Sequence, residues 1–237
     1  MIGDIMCEKI EVLGVQIDGC TAKEAMQKVI GYMETEPINT VEILAGASVV
    51  ELVETGDLRE KLQQMELLVV GDQTLLKLSG VSDRTLLKEA ETNLFLKMFL
   101  RYMKKSKKRV FLLASNEEKL QMFQEYLQRY YTGLVICGCK VAEDKPGMND
   151  MIVNKINGAE ADCILSALPS PFQENFIGEN APILDARIWL GIGEGIRSTR
   201  HKNAGSSRFR DFLVKVVLKT EMKKKKKEEQ ISESDQL

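Results

Sequence analysis

The chain has 237 residues, is 44% hydrophobic and 29% charged, and carries a formal net charge of −2. That is enough for one large domain with or without an appendage, in an ordinary globular composition, and the near-neutral balance leaves no global footprint for nucleic acid. No apolar run approaches the roughly 18 residues from which a membrane-crossing helix is read. The five cysteines are odd in number and lack framework spacing, and no signal peptide is recognisable. Together these argue for a reducing cytoplasm.

In chain order, an apolar run at 10–17 reads as the first strand. Thr21-Ala22-Lys23-Glu24 then forms the pattern of a capping box, and Ala25, Val29 and Met33 continue one apolar helix face. A second strand at 41–45 runs into Ala45-Gly46-Ala47-Ser48. Small residues there let a ligand approach, with Ser48 either a donor to it or a helix cap. Helical patterns follow at 48–54 and 57–64. The strand at 67–70 ends in Gly71-Asp72, a tight turn carrying a carboxylate. Asp72 has two readings: the cap of the next helix, or a general base aimed into the crevice above the sheet.

Further along, a helix at 91–105, a strand at 109–114, a helix at 116–129 and a strand at 134–137 alternate. Cys137-Gly138-Cys139 could hold a metal or form a redox pair. However, C-x-C lacks the second ligand pair of a zinc site, and the only histidine is His201, so small strand residues are the simpler account. A helix at 148–156 leads to a strand at 163–167. The stretch that follows, Leu168-Pro169-Ser170-Pro171-Phe172-Gln173-Glu174, is a stiff proline-bent turn at the carboxyl end of a buried strand. Ligands of open α/β sheets bind at such ends, and Gln173 and Glu174 fall near a helix start with side chains available. The alternative is a plain connector. A last strand at 183–192 overlaps Gly191-Ile192-Gly193-Glu194-Gly195. Its glycines either bring backbone amides to a phosphate or sugar, or serve only as turn residues; the spacing is not that of the dinucleotide fingerprint.

Strands alternating with helices predict crossover connections. Strands this apolar predict burial on both faces. The expected fold is therefore α/β and Rossmann-like, with a mainly parallel sheet over 1–196 and helices on both sides. After it come a basic loop and amphipathic helix at 197–222 and a charged tail at 223–237 that reads as disordered. Phe209, Phe212, Leu213, Val216 and Val217 recur at helical spacing beside Arg210, Lys215 and five consecutive lysines. Such a helix docks on the domain or lies on an anionic membrane surface. Neither a Ser-His-Asp set, a P-loop nor a metal-ligand cluster is present, and no cofactor is expected.

From about residue 10 to 196 these segments resemble the WecG/TagA/CpsF family of bacterial glycosyltransferases. Val12-Leu13-Gly14-Val15-Gln16-Ile17-Asp18, with Thr21 and Ala25, is similar to the family's "GVPID...T...A" opening. The strand ending at Asp72 lies where the family has a "PDG" turn. Residues 167–177 resemble "ALGSPKQEKWI", and 191–196 resemble "GVGGSFD". The resemblance implies inverting transfer of an N-acetylhexosamine, typically N-acetylmannosamine, from a UDP-sugar to a polyprenyl-diphosphate-linked sugar. The setting would be surface-polysaccharide or teichoic acid assembly, with the protein peripheral at the cytoplasmic face of the plasma membrane.

By that resemblance Asp72 is the general base. Ser170, Gln173 and Glu174 belong to the substrate motif, and Gln173 contacts donor sugar or acceptor. Gly191, Gly193 and Gly195 line the nucleotide pocket, and Arg208 and Arg210 stand in for the appendage arginines that neutralise the diphosphate. The chain departs from the pattern at several ligand-facing positions. "TPN" is replaced by Leu44-Ala45-Gly46, the motif's lysine and tryptophan by Phe172 and Phe176, its glycine by Pro169, and the aspartate of "GSFD" by Arg197. These departures support a second reading, a catalytically degenerate paralogue that binds or scaffolds in the same pathway.

Overall fold

The computed structural model describes residues 7–12, 14–44, 56–145 and 147–193. The expected helix at 48–54 and everything after residue 193 lie outside the described residues, and with them Ser48, Gly195, Arg208 and Arg210. Two strands open the chain, β1 (Lys9–Val12) and β2 (Val15–Asp18), followed by α1 (Ala22–Tyr32) and β3 (Asn39–Leu44). Then come α2 (Gly56–Gln63), β4 (Leu67–Val70), α3 (Gln73–Leu78), α4 (Arg84–Thr92) and α5 (Leu94–Lys105). The second half contains β5 (Arg109–Ala114), α6 (Glu117–Tyr130), β6 (Val135–Val141), α7 (Met148–Asn157), β7 (Cys163–Ala167), α8 (Phe172–Asn180), a 3-10 turn (Ala181–Ile183) and β8 (Ile188–Gly191).

Six strands form one sheet in the order β4-β3-β8-β7-β5-β6, and every neighbouring pair is parallel. Helices cover both faces, as the apolar strands predict. Alternation along each strand sorts side chains between the two layers. Val41, Ile43, Leu112 and Leu165 meet α1, α5 and α6 on one side. On the other side Leu44 and Leu68 join the hairpin, α2 and α3, while Phe111, Ile164 and Trp189 join α7 and α8. Glu42 faces this second layer, at the point where one apolar cluster gives way to the other.

The expected first strand is instead a hairpin. Gly14, at φ 80°, turns the chain back, and β1 and β2 pair antiparallel from Lys9 opposite Asp18 to Val12 opposite Val15. Continued by two residues, that register sets Cys7 opposite Cys20, and the two form a disulfide with Cα atoms 5.2 Å apart. A disulfide departs from the expectation drawn from the odd cysteine count, because pairing depends on geometry and not on parity. Cys137, Cys139 and Cys163 are free, the last fully buried in β7. The capping box at α1 is present in both directions: Thr21 Oγ accepts from the Glu24 amide, and Glu24 accepts from the Thr21 amide at 2.8 Å.

The expected helix at 91–105 starts at Leu94 as α5; the residues before it form α4, which was not expected, and Asn93 in a left-handed conformation (φ 50°, ψ 45°) closes α4 and opens α5. The expected strand at 183–192 shortens to β8 after a 3-10 turn. Among the described residues no helix is long and apolar enough to cross a membrane.

Candidate active site

The parallel order brings the ends of β4, β7 and β8 to one edge of the sheet, and with them Asp72, Ser170, Gln173, Glu174, Gly191 and Gly193. They divide into two groups.

Asp72 begins the first. It is the N-cap of α3, and its Oδ1 accepts from the Thr74 amide at 2.7 Å. Its Oδ2 has no hydrogen bond to a described residue, and the side chain is half-buried. Capping and availability therefore coexist in one carboxylate. The turn before it is tight for a steric reason. Gly71 donates its amide to the Leu44 carbonyl at 2.8 Å, and a Cβ on Gly71 would stand 2.6 Å from Ile43 Cγ2. The same Gly71 walls a cleft, together with Cys20, Ala22, Ile43, Glu89 and Asn93. Glu89 accepts from the Ala22 amide at 2.7 Å, so a carboxylate already occupies the start of α1.

The second group centres on α8. Gln173 and Glu174, expected to have available side chains, are both fully buried. The reason lies in their neighbours. Phe172 and Phe176 pack edge to face, Phe176 stacks on Trp189 at 5.6 Å, and these rings draw the first turn of α8 onto the sheet. Ser170 Oγ donates to Glu174 Oε1 at 2.5 Å, and Glu174 sits in the first turn of α8, where helix dipoles favour an acid. Gln173 Nε2 donates to Glu42 Oε1 at 2.6 Å.

Glu42 is the residue that sequence reasoning missed. It is fully buried in a central strand. Burial is the main cause that pushes its carboxyl well above the ordinary glutamate range. The Glu174 charge adds to that rise, and the hydrogen bond from Gln173 opposes it. Glu42, Gly191 and Ser166 lie in one row across β3, β8 and β7. The space above Gly191 is the carboxyl's seat: a Cβ there would lie 1.8 Å from Glu42 Oε2 and 2.7 Å from Gln173 Nε2. Gly191 was expected to line the nucleotide pocket; the place that a Cβ would take on it is filled by the Glu42 side chain. Gly193 takes a left-handed φ of 56°, with no atom near the place of a Cβ. A lone apolar-flanked glutamate in a six-residue strand, answered by a strand-terminal glycine far away, is the only signal the sequence offered.

Three buried atoms around this row, Glu42 Oε2, Gln173 Oε1 and Ser166 Oγ, have no hydrogen-bond partner among the described residues. No hydrogen bond joins Asp72 to Gln173 among them either. The same edge of the sheet thus carries a half-exposed carboxylate, bordering a cleft through Gly71, and a buried amide–carboxyl pair. No curated protein gives a significant match to the chain. The model of the glycosyl transferase WecG/TagA/CpsF family matches residues 10–199. That span holds the whole sheet and every described residue of the two groups, and the chain belongs to the WecG/TagA/CpsF family of glycosyltransferases.

Proposed function

We propose that the protein moves an N-acetylhexosamine, of the N-acetylmannosamine type, from a UDP-sugar to a polyprenyl-diphosphate-linked acceptor, with inversion. Asp72 carries this reading. It is a carboxylate just past a buried parallel strand, adjoining a cleft wall at Gly71, with one oxygen not engaged by the described residues. As general base it takes the proton of the acceptor hydroxyl while that oxygen attacks the anomeric carbon. The UDP leaves from the opposite face, and Arg208, Arg210 and backbone amides offset the charge on its diphosphate. Gln173 contacts the donor sugar or the acceptor. A lipid-linked acceptor puts the reaction at the cytoplasmic membrane face, which the basic amphipathic segment at 197–222 suits.

The test is Asp72→Asn. Asparagine caps helices about as well as aspartate, so α3 keeps its start and the melting temperature holds. Transfer from UDP-N-acetylmannosamine to a synthetic lipid-linked acceptor falls by about 10²- to 10⁴-fold. A variant that turns over at the parent's rate would sink the assignment.

A further inference from the structure

The function proposed above uses Gln173 and leaves Glu42 without a task. Yet the structure spends a buried carboxyl, a glycine and a row of three strands on this contact. A side-chain amide offers a donor and an acceptor, and its flat shape lets either end face a ligand. In this protein the choice is made from below. Glu42 Oε1 takes the Nε2 donor at 2.6 Å, and the missing side chain of Gly191 leaves the space that the carboxyl fills. The amide's other end, Oε1, is buried and has no partner among the described residues. A buried acceptor left unmatched is costly, and native proteins keep such an atom for a reason.

We infer that Glu42 is a positioning residue for sugar recognition: it holds the Gln173 amide with its carbonyl oxygen free, so that the substrate group meeting Gln173 is a hydrogen-bond donor, a sugar hydroxyl or the N–H of the N-acetyl group. The inference rests on the proposed role of Gln173. It adds that the residue acts as an acceptor and that β3 sets this.

Calorimetric titration with UDP and with UDP-N-acetylmannosamine separates the sugar's share of affinity from the nucleotide's. In Gln173→Leu and in Glu42→Leu, affinity for the UDP-sugar drops by about three- to tenfold, while affinity for UDP stays unchanged. Glu42→Gln keeps an oxygen for Nε2 and restores sugar affinity to within about twofold of the parent, whereas a residue needed only for packing is served as well by leucine. Gly191→Ala crowds the carboxyl and the Gln173 amide together, so it breaks the same contact from β8 with Glu42 itself unchanged, and it reproduces the Glu42→Leu loss. A loss in Gln173→Leu with none in Glu42→Leu or Gly191→Ala overturns the inference and leaves the role of Gln173 standing. Glu42→Gln failing as badly as Glu42→Leu also overturns it. No loss in Gln173→Leu, or a parent that binds UDP-sugar no better than UDP, removes the underlying reading as well.

Discussion

At the scale of single residues, Glu42 is where local propensity and final structure disagree. A glutamate in the middle of a central strand conflicts with an otherwise apolar layer, and such conflicts concentrate where a protein does something. Its proton also makes a thermodynamic statement. The folded chain holds that proton above the ordinary glutamate value of 4.5, where the unfolded chain has shed it. Stability from this group is therefore complete in acid and declines as pH rises past 4.5 toward the folded value. Over that window the parent should lose up to about 1.4 kcal/mol per pH unit relative to Glu42→Gln, in denaturant melts at stepped pH. Parallel curves would mean that the carboxyl ionises inside the fold as it does outside. Asp72 divides differently, since Asp72→Ala removes the cap together with the proposed base and should cost about 1 kcal/mol of stability that Asp72→Asn does not. The sequence showed Asp72, Ser170, Gln173 and Glu174 because polar residues past apolar strands are visible in one dimension. It hid Glu42 because a buried partner more than a hundred residues away has no local signature.

Among the elements, those with a local cause were legible. The residues 67–70, 109–114 and 163–167 are strands with the expected bounds, because continuous apolar runs between turn residues have few alternatives. The α1 cap was legible for the same reason. Apolar periodicity alone misread the hairpin and the α4–α5 pair, since both breaks depend on a single backbone angle at Gly14 and Asn93. Asparagine is among the few residues that take the left-handed region readily. Asn93→Val should therefore lower stability by about 1–2 kcal/mol, and Asn93→Gly should leave it nearly unchanged, in equilibrium denaturation. Equal cost for both substitutions would show that the asparagine side chain, not the angle, holds the joint.

For the molecule as a whole, the sheet and its two covering layers followed from the alternation of elements, whereas the order of the strands did not. The disulfide gives a check on the hairpin register that links its two cysteines. Alkylation of unfolded, unreduced protein should label Cys137, Cys139 and Cys163 alone, and reduction should add Cys7 and Cys20. Five labelled positions without a reductant would contradict the bond. With it intact, a closed loop of this size limits the unfolded chain, a contribution of roughly 3 kcal/mol that a reductant removes.

The strand order also determines when the molecule can come together. β8 is the last of the described strands and occupies the middle of the sheet, with β3 on one flank and β7 on the other. Until it emerges from the ribosome, the β4-β3 pair and the β7-β5-β6 trio have no seam to join them, and Glu42 has no glycine to lie against. The nascent chain must carry two unfinished half-sheets with bare edges almost to the end of the domain, a state that invites aggregation. The seat of Glu42 and a sheet without a bare seam are thus completed together, when one four-residue segment takes its place.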